Sequence, residues 1–85
     1  MTDTATNAQL FAAAGRALYG ENWQSPMARK LGINLRSVQY IAAAAEAGNS
    51  YRIAPGIMSE LVDLLKERRD VADVLQRRIA RFGSA

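Results

Sequence analysis

Residues 25–41 read SPMARKLGINLRSVQYI, and their apolar positions fit neither one helix nor one strand. Two sets of apolar residues, each with helical spacing, lie on either side of Gly32. The two sets are Met27, Ala28 and Leu31, followed by Leu35, Val38 and Ile41. The helical phase breaks at the glycine. This stretch therefore predicts two short helices joined by a turn, neither of them long enough to be stable alone.

The chain has 85 residues, which is enough for one small domain. It contains no cysteine, so disulfides and thiolate metal sites are excluded. It also contains no histidine, the commonest metal ligand and general base. We therefore expect no enzyme, no cofactor and no metal ion. A domain this small is marginal alone, and oligomerisation is a common remedy.

The net charge of +3 is unevenly distributed along the chain. Residues 22–52 hold four basic residues and one acidic residue, whereas the seven basic and seven acidic residues elsewhere cancel. The five charged residues are Arg29, Lys30, Arg36, Arg52 and Glu46. Clustered positive charge indicates a surface for a polyanion, although an ordinary solvated face can carry the same charge.

No apolar run approaches the length that a membrane span needs, and the polar, acidic start of the chain does not resemble a signal peptide. We expect no membrane association and a soluble protein of the cytoplasm, bacterial or phage-encoded and associated with the nucleoid. Residues 1–7 read as a flexible tail ahead of a single domain over residues 8–85. Either Thr6 or Asn7 can cap the first helix, and Gly20 suits a left-handed position at its end.

The second helix is expected to begin at Ser25 as N-cap with Pro26 as its first residue, and to end near Leu31. Asn34 then caps a third helix over residues 35–47, which gives a helix-turn-helix over about residues 24–47. After a loop at residues 50–55, residues 57–82 read as one long helix or as two that bend near Arg68. The sequence thus predicts an all-α fold of four or five helices with a C-terminal helix over about residues 56–82.

Seven positions of the 25–41 region and its neighbours meet the requirements of two helices that cross steeply over a third. Six of them should be apolar, with the alanine allowing close approach, and the seventh is the glycine of the turn. They are Met27, Ala28, Leu31, Gly32, Ile33, Val38 and Ile41. The stretch Trp23 to Ile41 resembles the lambda-repressor/Cro-like (Xre-type) helix-turn-helix family. In one respect it departs from that family, because an alanine run at residues 42–45 stands where such proteins often place a large aromatic residue.

An α-helix fits the major groove of double-stranded DNA, so outward residues of the third helix are candidates to read bases. Arginine pairs with guanine and glutamine with adenine. The candidate base-reading residues are Leu35, Arg36, Gln39 and Tyr40. The resemblance implies a phosphate contact at the start of the second helix, and further polar residues nearby are plausible phosphate contacts. This second group comprises Gln24, Ser25, Arg29, Lys30, Asn34, Ser37 and Arg52.

The apolar face of the C-terminal helix exceeds what a small core needs, and we expect the excess to form a homodimer interface. The interface residues proposed are Leu64, Val71, Leu75, Ile79 and Phe82. The alternative is that this helix folds back and completes its own monomer. For function, the first hypothesis is a sequence-specific transcriptional regulator, acting as a repressor. The second is a helical interaction module, or antitoxin-like partner, that binds another protein through this helix.

Overall fold

The computed structural model describes residues 4–83, and within that range the chain is all-α. Its four helices are α1 (Asn7–Tyr19), α2 (Gln24–Leu31), α3 (Leu35–Glu46) and α4 (Pro55–Gly83). The predicted fold class is confirmed, including the long C-terminal helix. Of the two alternatives for that helix, the structure has one continuous helix through Arg68. Within the described range no helix has an apolar stretch long enough to cross a membrane.

The start of α1 is held by Thr6, one of the two residues predicted to cap it. The Thr6 hydroxyl accepts a hydrogen bond from the Gln9 N–H at 3.1 Å, and the Gln9 side chain accepts one from the Thr6 N–H at 3.0 Å. This reciprocal pair is a capping box. Thr6 and Asn7 therefore belong to the folded domain, so the predicted tail of residues 1–7 was drawn too long. Residues 1–3 lie outside the described residues.

The predicted start of α2 was wrong by two residues. Helix α2 begins at Gln24 with Trp23 as N-cap, so Ser25 is its second residue and does not cap it. The reason is burial, because the Trp23 side chain is 2% exposed and fixes the chain at this point. Pro26 lies at the third position, where its missing N–H still has no partner within the helix. Gly20 has φ 80° and ψ −155°, a glycine conformation but not the left-handed helical one that was expected.

The turn between α2 and α3 has the predicted geometry. Gly32 lies in the left-handed region with φ 67° and ψ 31°. The Ile33 N–H donates to the Ala28 carbonyl at 3.1 Å, which closes α2 with the long-range bond of a Schellman motif. Asn34 caps α3, since its side-chain oxygen accepts from the Arg36 N–H at 2.8 Å. Three residues therefore suffice to end one helix and begin the next.

The core lies where α1, α2 and α3 meet, and the first turns of α4 cover it. Its largest fully buried side chains are Phe11, Trp23, Met27 and Val38. The described part of the chain has no buried polar or charged side chain. Packing of apolar surface therefore stabilises the fold. The alanine run at residues 42–45, noted above as a departure from the family, contributes small side chains, and Ala42, Ala44 and Ala45 lie half-buried against this core.

Helix α4 changes environment along its length. Leu61 is 3% exposed, and Ile57 and Leu64 are half-buried against the core. From residue 65 to residue 82 every side chain is exposed. The C-terminal two thirds of α4 therefore form an arm that extends beyond the domain, consistent with overall dimensions of 50 × 33 × 23 Å.

Candidate nucleic-acid interface

The orientation of α3 is set by its buried residues. Val38 is fully buried and Ile41 is 3% exposed, so the side of α3 that carries them faces α1 and α2. The opposite side is exposed from its first turn onward. All four predicted base-reading residues are exposed: Leu35, Arg36, Gln39 and Tyr40. Tyr40 is 55% exposed, whereas Tyr51 is half-buried against the core.

Arg36 is exposed to solvent near the start of α3. Among residues 4–83 it has neither an ion pair nor a side-chain hydrogen bond, and only its backbone N–H is bonded, to Asn34. All the N–H donors of the guanidinium are thus available to a ligand. This is the state required for a bidentate contact with a guanine edge or a phosphate.

The N-terminus of α2 carries no side-chain cap. The backbone N–H groups of Gln24 and Ser25 therefore donate to no capping side chain, and Pro26 has no N–H. Free N–H groups at a helix start favour an anion through direct hydrogen bonds and through the helix dipole. This end of α2 is accordingly suited to a phosphate.

The N-termini of α2 and α3 border one shallow groove. Four of the predicted site residues line it, namely Gln24, Ser25, Leu35 and Gln39. The structure thus brings two predicted phosphate contacts and two predicted base contacts together. A duplex laid along this groove would meet both sets of side chains.

Glu21 and Asn22, which the sequence reasoning did not select, line the same groove. Both precede α2 in the turn after Gly20, and both are exposed. A carboxylate at this point repels a phosphate and partly offsets the positive charge of the region. No local pattern marks this residue, because Glu21 lies one position before the basic segment and its place in the groove depends on how α2 and α3 cross.

The other predicted phosphate contacts are more scattered. Arg29, Lys30, Asn34 and Arg52 are exposed, and Ser37 is half-buried. The Asn34 side-chain oxygen is already engaged in the cap of α3, which leaves its amide N–H₂ as donor. Lys30 lines a different groove, formed by the end of α1 and the middle of α4. Nothing in the described structure joins Arg29 or Arg52 to the groove at the start of α2 and α3.

The predicted dimer residues divide into two groups. Leu64 is half-buried against its own domain. The other four are exposed by half or more of their surface: Val71, Leu75, Ile79 and Phe82. Within the described residues no group of acidic side chains is arranged to hold a metal ion.

No protein-family model, curated protein or solved structure matches this chain. A functional assignment therefore depends on the geometry of the described residues.

Proposed function

We propose that this protein is a sequence-specific DNA-binding transcriptional regulator of the Xre-like, phage-type class that acts as a repressor in the bacterial cytoplasm, at the nucleoid. The observation that supports this most directly is the exposed start of α3, where Arg36 and Gln39 project from a helix fixed by buried Val38 and Ile41. The uncapped start of α2 beside it supplies a place for a phosphate.

The mechanism follows from these positions. The N-terminal half of α3 enters the major groove, where each base pair presents a distinct pattern of donors and acceptors. Arg36 donates to guanine and Gln39 pairs with adenine, while Leu35 contacts a thymine methyl group and Tyr40 a base or a phosphate. The Gln24 and Ser25 N–H groups hold the adjacent phosphate and fix the register of the helix in the groove.

Selection from a random pool of double-stranded DNA, followed by titration of the enriched site, tests the proposal. Arg36→Ala and Gln39→Ala should each cost about 1–3 kcal/mol of binding free energy, and each should relax one base position. Arg69→Ala removes the same charge from the exposed arm of α4 and serves as the matched control. If the two α3 variants bound the selected site as tightly as this control, α3 would not be the reading helix.

The second candidate function is the helical interaction module or antitoxin-like partner, which the exposed arm of α4 favours. Under that function the helix-turn-helix is structural or serves only autoregulation. A salt-dependent gel shift with random DNA discriminates the two. A shift that weakens as salt rises supports the regulator, because phosphate contacts release counterions. No shift at low salt, with another protein co-purifying, supports the interaction module.

A further inference from the structure

A groove of about 490 Å³, which we call the α1–α4 groove, lies between the domain and the start of the exposed arm of α4. Small-molecule sites in proteins have volumes of about 300–1,000 Å³, so this groove has room for a ligand. It shares no lining residue with the groove that Gln24 and Gln39 line at the start of α2 and α3. The α1–α4 groove is therefore a second site, separate from the base-reading residues.

The walls of the α1–α4 groove are mainly apolar. Leu18 and Tyr19 at the end of α1 line it on the domain side, and Leu64, Val71 and Leu75 line it on α4. Leu64 and Leu75 are eleven residues apart, which is roughly 16 Å along the helix axis. A groove lined over this length suits an extended hydrocarbon chain better than a compact ring.

Arg68 interrupts the apolar face of α4. It lies four residues after Leu64 and three before Val71, and this spacing puts all three side chains on one face of the helix. The arginine also lines the α1–α4 groove beside them. An apolar face that only packs gains nothing from a guanidinium at this position, whereas an anionic ligand does.

Two cations, Lys30 and Arg68, line the groove from different helices. Both are exposed, and within residues 4–83 neither forms an ion pair or a side-chain hydrogen bond. Glu67 lines the groove as well and is equally without an ion pair in that range. With two positive charges against one negative charge, the groove has an excess of one positive charge. It therefore combines apolar walls with free donors for a single anionic group.

We infer that the α1–α4 groove binds a small amphiphilic anion, namely a fatty-acid carboxylate. Its hydrocarbon chain lies along Leu64, Val71 and Leu75, and its carboxylate lies at Lys30 and Arg68. Covering the chain removes apolar surface of the protein and of the ligand from water. The two cations donate charge-assisted hydrogen bonds to the carboxylate. A neutral alcohol of the same chain length gains only the apolar contribution and binds more weakly.

Octanoate is the probe, and 1-octanol is its neutral counterpart. Titration of the full chain, followed by nuclear magnetic resonance of the backbone amides, should give saturable shifts with a Kd on the order of 1 mM. The shifts should centre on Tyr19, Lys30 and residues 64–75. Octanol should bind about two- to tenfold more weakly. No saturable shift with octanoate, equal affinity for both probes, or shifts centred on Ile79 and Phe82 would overturn the inference.

Charge substitutions in α4 test the position of the carboxylate. Arg68→Gln should lower octanoate affinity about two- to fivefold and leave octanol affinity unchanged. Arg69→Gln is the matched control, because it removes the same charge at the next position, which does not line the groove. Glu67→Gln should act in the opposite direction and raise octanoate affinity about twofold. Equal losses in Arg68→Gln and Arg69→Gln would show an effect of net charge alone and contradict the assignment.

Failure of this inference can be distinguished from failure of the proposed DNA binding. Lys30 is also a predicted phosphate contact, whereas Arg68→Gln should leave DNA affinity unchanged. The competing occupant of the apolar walls is a second copy of the chain, and sedimentation equilibrium with and without octanoate tests for it. One octanoate bound per chain at every protein concentration supports the ligand site. Octanoate binding that disappears as the chain self-associates would show that the partner copy fills the groove, and would overturn the inference.

Discussion

The indole ring of Trp23 lies directly against Gly15 of α1, and a β-carbon added at that glycine would meet ring atom Cε3 at 2.2 Å. Gly15 is buried, and Trp23 also contacts Phe11 edge to face, with ring centroids 6.0 Å apart. A glycine in the middle of a helix lowers helix stability. Here it allows the tryptophan that begins α2 to pack close to α1.

Gly15→Ala should therefore destabilise the protein despite the better helix propensity of alanine. The added methyl group displaces the indole ring, and we expect a loss of about 1–3 kcal/mol in the free energy of unfolding. Urea denaturation followed by circular dichroism measures it. Gly56→Ala is the matched control, because nothing lies within 4 Å of its added β-carbon. That variant should be neutral or more stable by up to about 1 kcal/mol, and an equal loss in both would contradict the role of Gly15.

Asn7 ties the start of α1 to the loop before α4. Its side-chain oxygen accepts from the Tyr51 N–H at 3.0 Å, and its amide N–H₂ donates to the Tyr51 carbonyl. Asn7→Ala leaves both backbone groups without a protein partner and should cost about 1–3 kcal/mol. Thermal unfolding of the variant checks this. Asn22→Ala changes an exposed asparagine and should stay within about 0.5 kcal/mol of the wild type, so comparable losses would exclude a special role for Asn7.

The left-handed backbone at Gly32 yields a separate prediction for the turn. No atom lies within 4 Å of a β-carbon built there, so substitution meets only backbone strain. Gly32→Ala should destabilise the fold by about 1–2 kcal/mol, and Gly32→Asn should cost less because asparagine tolerates this region better. Comparing the two variants by chemical denaturation separates strain from side-chain crowding. If asparagine, the larger residue, cost more than alanine, the backbone explanation would be wrong.

Lys30 provides a test of the DNA proposal at the phosphate level. Lys30→Ala should weaken binding to all sequences alike and reduce the salt dependence by about one phosphate contact. Binding titrations over a series of salt concentrations give that slope for the selected site and for random DNA. Lys66→Ala is the control on the arm of α4. Since Lys30 lines the groove beside α4, an unchanged slope would assign its charge to that groove and not to DNA.

Removing the charge of Glu21 should have the opposite effect on DNA binding to removing the charge of Lys30. Its carboxylate borders the groove that Gln24 and Gln39 line, so its removal should strengthen DNA binding. Glu21→Gln should raise affinity about two- to fivefold at low salt, with the gain shrinking as salt rises. Glu46→Gln makes the same change in net charge at the far end of α3. Equal gains in both would show an effect of net charge alone.

Local chemistry made part of the fold predictable. Gly32 ends α2 through its own backbone conformation, and Asn34 caps α3 through the N–H of a residue two positions away. The sequence therefore predicted both correctly. The start of α2 required tertiary information, because the burial of Trp23 prevailed over the capping preference of Ser25. The hydrogen bonds of Asn7 with Tyr51 link residues that are distant in the chain, and no local pattern predicts them.

In the candidate site, too, local pattern predicted some features and tertiary packing determined the others. The exposure of Arg36 and Gln39 followed from the helical phase of Val38 and Ile41, which periodicity reveals. Which residues share a groove depends on how α2 and α3 cross. The placement of Glu21 in the groove, and of Lys30 outside it, therefore emerged only from the structure.

The chain has a single tryptophan, and it is buried where α1 meets α2. Its fluorescence therefore reports on that junction and on nothing in the arm of α4. Far-ultraviolet circular dichroism, in contrast, counts every helical residue, including those of the arm. If the arm melts before the domain, ellipticity will fall while the emission maximum stays constant. The two optical signals can thus follow arm and domain separately in one unlabelled sample.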